Sequence, residues 1–246
     1  MEIIQTRKEK PPRILIHGDH GLGKSSLAAA APNPIFINIE DGLDEINTNA
    51  LAIPKKFDDV MAQLTWLYDA EHDFKTLVID SLDWLETLIN RHVCEEGGKE
   101  SIADFGYGAG YEATYTQFGR VVKALRAIRN DRDMAIILLC HSAIKEYKNP
   151  MAENYDVFKL KLRDKNAELF LEFATLIGFL HFQVFVKKEK DGFSEGNKAL
   201  GGSDRVLSCA PHAAYAAKNR YDITQDIPIP DPVTGWTNLL QAIKKS

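Results

Sequence analysis

Near the start of the chain, Gly18-Asp19-His20-Gly21-Leu22-Gly23-Lys24-Ser25 follows the spacing G-x-x-x-x-G-K-[ST]. Glycines at those positions let the backbone curl until successive N–H groups point inward, a cradle for phosphate oxygens. A helix that starts at the end of the loop turns its positive dipole end toward the same anion. Lys24 would neutralise the β- and γ-phosphates of a nucleoside triphosphate, and the Ser25 hydroxyl would ligate Mg²⁺. Chance would place such a match in a chain of this length on the order of 0.01 times. Asp19, His20 and Leu22 occupy the variable positions. They join Gly18, Gly21, Gly23, Lys24, Ser25 and Ser26 in the binding segment, and no side-chain role is assigned to Asp19 or His20.

Such a loop needs a carboxylate nearby to hold the metal's coordination shell. The apolar run Thr76-Leu77-Val78-Ile79 ends in Asp80, which puts that acid at the C-terminal edge of a strand, where open α/β sheets bind ligands. The plainer reading is an acid that caps the next helix, a task Ser81 or Asp83 could equally perform. Hydrolysis also needs a group to orient or deprotonate water. Ser81 follows Asp80, so an adjacent Glu is missing. Ile35–Ile39 ends in Glu40 and Asp41, and Glu40 would emerge beside the phosphates if its strand neighbours the loop strand. A solvated turn acid is the alternative. A further polar strand end is Cys140-His141-Ser142.

The elements that must carry these groups can be read from the pattern. Arg13–His17, Ile35–Ile39, Thr76–Ile79 and Met134–Leu139 are short apolar runs suited to buried parallel strands. Between them, Ser25–Ala31, Phe57–Ala70, Leu82–Cys94 and Tyr115–Arg129 have helical spacing or composition. That alternation predicts an α/β fold, a mainly parallel, doubly wound sheet with helices on both faces. The Gly-rich Glu96–Tyr111 segment is expected to be a mobile loop. Past His141 the expectation is a polar stretch over Ile144–Tyr155 and an exposed strand at Val157–Leu162. A helix over Glu168–Ile177 and antiparallel C-terminal strands at Gly178–Val186 and Val206–Cys209 follow, the strands joined by a turn region at Asp191–Ser203. The expected organisation is an N-terminal arm over 1–12, one core over 13–225, and a C-terminal tail with a short helix over 226–246.

The order and spacing of the phosphate loop, the segment Phe36-Ile37-Asn38-Ile39-Glu40-Asp41-Gly42-Leu43-Asp44, and Thr76–Asp80 resemble RecA-type recombinases. The wider pattern is similar to phage-encoded RecA-like P-loop ATPases, including those of single-strand annealing recombination. The resemblance covers about Arg13–His141 and is looser beyond. It implies a RecA-like P-loop NTPase using ATP and Mg²⁺, with Glu40 as the catalytic carboxylate and Lys24 beside it. It implies His141 as a γ-phosphate sensor, although RecA itself has Gln there. A His can donate to a phosphate oxygen, and bonding to local backbone is the alternative. It further implies a homo-oligomer, ring or filament, and single-stranded DNA contact through Ser142–Lys165. Lys145, Lys148, Lys159, Lys161 and Arg163 are the candidate cations there, and Tyr147, Tyr155 and Phe158 the candidate stacking rings. Lys218 and Arg220 would then complete a neighbouring subunit's site. Ordinary solvated surface is the alternative for both segments. Other phage recombination or replication proteins are expected partners.

Composition narrows the remaining classes. A net charge of −5 lacks the basic bias of a dedicated duplex-DNA binder. Three scattered cysteines, Cys94, Cys140 and Cys209, offer neither a disulfide framework nor a thiolate metal site. The apolar runs are too short to span a bilayer, and the polar Met1–Pro12 is unlike a secretory signal. The expected place is therefore the cytoplasm, the host's if a phage encodes the chain. The expected function is an ATPase of DNA recombination or annealing. A regulatory or assembly ATPase without DNA, or a nucleotide-binding scaffold with little turnover, are the rivals. A small-molecule kinase ranks below them, because no lid or acceptor motif is evident.

Overall fold

A computed structural model describes residues 10–151, 153–191 and 194–244, with side chains omitted over 184–201. The expected N-terminal arm lies outside the described residues as far as residue 9.

The strand β1 (Arg13–Gly18) leads through the glycine loop into the short helix α1 (Lys24–Ala29). Next come β2 (Pro34–Asn38), the two-residue β3 (Asn49–Ala50), α2 (Phe57–Asp69), β4 (Thr76–Asp80), α3 (Leu82–Gly97) and α4 (Ala109–Asp131). The second half comprises β5 (Ala135–Tyr147), β6 (Tyr155–Leu160), α5 (Asp164–Phe173), β7 (Leu176–Asp191), β8 (Ser194–Ser208), β9 (Lys218–Asn219), β10 (Ile227–Pro228) and α6 (Pro232–Lys244).

The sheet runs β10-β8-β7-β1-β5-β4-β2-β3, with β6 added to β5 and β9 to β7. The stretch from β7 to β3 is parallel throughout, whereas β6, β8, β9 and β10 pair antiparallel. The chain is thus the mixed α/β fold of a P-loop NTPase, mainly parallel and covered on both faces.

Why the strands are apolar without alternation follows from the two cores. Leu15, Ile37, Ile79 and Leu138 face α2, α3, α4 and α5, packing with Phe57, Leu85, Phe118 and Phe170. Their neighbours Ile14, Ile16, Phe36, Val78 and Leu139 face the other way, with Leu27 of α1 and Trp236 and Leu239 of α6. Successive side chains point to opposite faces, so a strand buried on both sides must be apolar at every position. Of the expected tail, Ile227–Pro228 therefore adds a strand to the sheet and Pro232–Lys244 a helix to its second core.

Three local expectations change. The Gly-rich 96–111 stretch forms two 3₁₀ turns, Ile102–Asp104 and Gly106–Gly108, packed on the core rather than an open loop. A Cβ on Gly97 or Gly110 would lie 2.5 or 2.7 Å from the Phe105 ring, so these glycines admit an aromatic plug. β5 does not stop near His141 but continues to Tyr147 as a ribbon with β6. The ribbon is partly covered, with Val157 and Leu160 buried, and its β5 arm keeps Ile144, Glu146 and Tyr147 exposed. α5 ends at Phe173, before the expected Ile177, because Leu176 and Ile177 are taken into the sheet beside β1.

Candidate nucleotide site

Parallel strands bring their C-terminal ends to one edge, and the candidate residues gather there. Gly18 pairs in register with His141, and Asn38 with Asp80. Gly18 is required by contact: a Cβ there would sit 2.3 Å from the Leu180 carbonyl oxygen. Gly21 and Gly23 have φ of 74° and 82°, left-handed conformations that suit glycine. α1 has only 6 residues, so the inward-facing loop and Lys24 carry more of an anion's charge than a helix dipole could.

Lys24 is buried, and its ammonium donates to the Gly18 and Asp19 carbonyls at 3.1 and 2.8 Å. Burial pulls its pKa down, while Glu40 and Asp80 oppose the shift. The Ser25 hydroxyl donates to Asp80 Oδ2 at 2.6 Å. Asp80 is 3% exposed, and burial pushes its pKa up against the Ser25 hydrogen bond. A hydroxyl and a buried carboxylate in contact form a hard-oxygen pair suited to Mg²⁺.

Glu40 reaches this edge by a different route from the one its sequence position suggested. β2 does not neighbour β1, because β4 and β5 lie between them. The chain leaves β2 with the Ile39 and Glu40 amides both donating to the Asp80 carbonyl, at 2.7 and 3.2 Å. Glu40 Oε1 then stands 3.6 Å from His141 Nε2. A cavity of about 370 Å³ is bordered by His20, Lys24, Ser25, Glu40, Asp80 and His141, with Gly21, Gly23 and Ser26 also on its wall.

Sequence reasoning missed three partners. Asp83, on the first turn of α3, has a side chain 7% exposed and binds His141 twice. Its Oδ2 lies 2.9 Å from His141 Nδ1, and its Oδ1 accepts from the His141 amide at 3.1 Å. Those bonds hold the Asp83 carboxyl at about 2 against the opposing effect of burial. From sequence Asp83 reads as a helix cap, since nothing local pairs it with a residue 58 positions away. The His20 ring stacks on His141 at a centroid distance of 3.6 Å. Arg205 on β8 donates to the Leu22 carbonyl at 3.2 Å and to Pro230 O at 3.2 Å, bracing the loop from the far strand.

The remaining candidates are dispersed. Lys145 is paired with Asp164 at 2.7 Å and with the Leu162 carbonyl. Lys159 lies over the Tyr147 ring, and the Arg163 guanidinium covers Tyr111 at 3.7 Å. Lys148 and Lys161 are exposed. Of the three candidate stacking rings, Phe158 is engaged with Phe179, while Tyr147 and Tyr155 contact each other at a centroid distance of 5.2 Å and keep exposed surface on the β5–β6 ribbon. Lys218 and Arg220 sit where β9 pairs with the start of β7. Ile177 pairs with both Lys218 and Leu15, so the Lys218 backbone is level with the middle of β1, about 10 Å along the strand direction from Gly18. The Lys218 ammonium is occupied by the Leu171 and Glu172 carbonyls, whereas Arg220 is exposed. All three cysteines are buried and free. Among the described residues no helix is long and apolar enough to cross a membrane.

Fold and site together define a nucleotide-binding domain of the P-loop ATPase class. The sequence pattern of a family described as an AAA domain matches residues 10–221, and the chain belongs to that family. The chain is also similar to the SPbeta prophage-derived uncharacterized protein YorG of Bacillus subtilis (strain 168), 28% identical over 138 residues. That match covers 53% of this chain and 41% of the relative, so it spans about two fifths of the relative's length.

Proposed function

We propose that the chain hydrolyses ATP with Mg²⁺. The observation that carries this reading is the Ser25–Asp80 contact at 2.6 Å beside the buried Lys24. Ser25 and Asp80 would hold the metal, whose charge would offset that of the phosphates. Lys24 would leave its two carbonyl partners for the β- and γ-phosphates. Glu40 would take the proton of the attacking water, in line with the bond to the β-phosphate. The test is release of γ-phosphate from ATP by the purified chain. Lys24→Ala should abolish Mg²⁺-dependent ATP affinity. Glu40→Gln should keep that affinity and lose turnover by about 10²–10⁴-fold. Unaltered turnover in Glu40→Gln would remove Glu40 from the chemistry.

The wider role we propose is that of a phage RecA-like ATPase in DNA recombination or single-strand annealing, assembled as a homo-oligomer. The prophage origin of the YorG relative supports a phage setting. Tyr147 and Tyr155, exposed on a ribbon that begins at His141, support contact with single-stranded DNA. Lys218 and Arg220 lie apart from the loop of their own chain, and the exposed Arg220 supports a part in a neighbouring copy's site. Turnover measured with and without single-stranded DNA decides the role. Stimulation that falls with salt supports it. No stimulation and no binding would favour a regulatory or assembly ATPase.

A further inference from the structure

His141 is bracketed by two carboxylates, and they do different things. Asp83 is the close partner, at 2.9 Å from Nδ1, and Glu40 is the distant one, at 3.6 Å from Nε2. Both carboxylates can only accept when ionised, and a neutral ring has one proton to give. Asp83 is at hydrogen-bond distance and Glu40 at 3.6 Å is beyond it, so the proton sits on Nδ1. Nε2 is then bare and turned toward Glu40 and the cavity. A bare nitrogen cannot donate to the γ-phosphate.

We propose that Asp83 is a positioning residue that fixes His141 as a hydrogen-bond acceptor for the attacking water. The inference rests on the ATPase reading above. In it the water donates one hydrogen to His141 Nε2 and the other to Glu40. The second proton passes to the Glu40 carboxylate as oxygen forms its bond to the γ-phosphorus. The bond to the bridging oxygen breaks, and its electron pair leaves with ADP. His141 thus aims the nucleophile, and the sensor role expected of it as a donor is replaced by an acceptor role.

The surroundings of Asp83 make the idea testable with one atom. Asp83 Oδ1 accepts from the His141 amide at 3.1 Å and from the Ser81 hydroxyl at 2.8 Å. In Asp83→Asn the amide oxygen stays at that position, because an NH₂ there would face the fixed His141 amide N–H, whereas the oxygen keeps both bonds. The NH₂ therefore falls at the Oδ2 position and points at Nδ1. That forces Nδ1 to accept and moves the ring proton to Nε2. The new Nε2–H faces Glu40 Oε1 and donates to it, which both removes the acceptor and ties up the base. Asp83→Ala leaves the ring free to adopt either tautomer.

The experiment uses the full chain labelled with ¹⁵N-histidine, with His141 assigned by the signal lost in His141→Gln. Two-bond ¹H–¹⁵N spectra should show Nδ1 protonated and Nε2 bare in the wild type, and the reverse in Asp83→Asn. Steady-state turnover should then rank wild type, Asp83→Ala, Asp83→Asn. Asp83→Asn should fall by about 10²–10⁴-fold in kcat, with Mg²⁺–ATP affinity held within about threefold. A merely structural Asp83 would give the opposite order, since the near-isosteric Asn disturbs packing less than Ala. That order, or a wild-type ring protonated on Nε2, overturns the proposal. A wild type without ATP turnover would sink the parent reading, and the tautomer spectra would still report whether Asp83 orients the ring.

Discussion

Asp80 is where stability and function should pull apart. The carboxylate is 3% exposed, and burial outweighs the Ser25 hydrogen bond in setting its pKa, which is raised. A carboxyl whose pKa is higher in the folded than in the unfolded chain costs stability once it ionises. The penalty is absent below the unfolded value, near 3.8, and is complete once the pH has passed the folded one. Asp80→Asn keeps the shape and can still accept from Ser25, and it removes the charge. Lys24 and Ser25 already offset much of a desolvation cost of several kcal/mol, leaving a gain of about 1 kcal/mol at pH 7. In a domain this size that is about 2–4 °C in Tm. Ligand tells the opposite story. Mg²⁺–ATP at a hundred times Kd should stabilise the wild type by about 2.7 kcal/mol, or roughly 5–10 °C. Asp80→Asn should lose most of the magnesium-dependent part of that rise. Thermal melts of both proteins at pH 7, with and without Mg²⁺–ATP, and apo melts at pH 3.5 give the pattern. The reasoning is refuted if the apo variant melts below the wild type at pH 7, or if its magnesium-dependent shift survives intact.

Gly18→Ala should destabilise the chain by about 1–3 kcal/mol in urea melts, because its methyl would meet the Leu180 backbone rather than a side chain that can turn away. His17 supplies a pH dependence. It is fully buried between the Ser142 hydroxyl and the Ala216 carbonyl, and desolvation holds its pKa at about 4 against 6.5 unfolded. The unfolded chain therefore binds a proton that the folded one refuses. Stability should fall by about 3 kcal/mol as pH drops from 6.5 to 4, and His17→Gln should flatten that slope in pH-resolved denaturant melts. Lys145→Ala should leave DNA affinity nearly unchanged, because its charge is spent on Asp164. Tyr147→Ala with Tyr155→Ala should weaken single-strand binding by about 1–3 kcal/mol per stacked base in a titration by fluorescence anisotropy.

The loop Gly18–Ser25 and the strand end at Asp80 were legible because their signals are local: a fixed spacing in one, an apolar run closed by an acid in the other. The parallel, two-faced sheet was legible for the same reason, since unbroken apolar strands separated by helices have few other solutions. Strand order carried no such signal. Only the fold shows that β5 and β4 stand between β1 and β2, and that Glu40 still reaches the loop, through backbone bonds to Asp80. The Asp83–His141 pair and the Arg205 brace lie beyond any window of periodicity, with Arg205 separated from Leu22 by 183 residues. Side-chain charge along the chain could not tell a free lysine from an engaged one either, because Lys145 is paired with Asp164 and Lys218 is hydrogen-bonded to the Leu171 and Glu172 carbonyls. Spacing encodes what a backbone does within a few residues, and the proton on an imidazole is decided by whichever carboxylate tertiary packing sets against it.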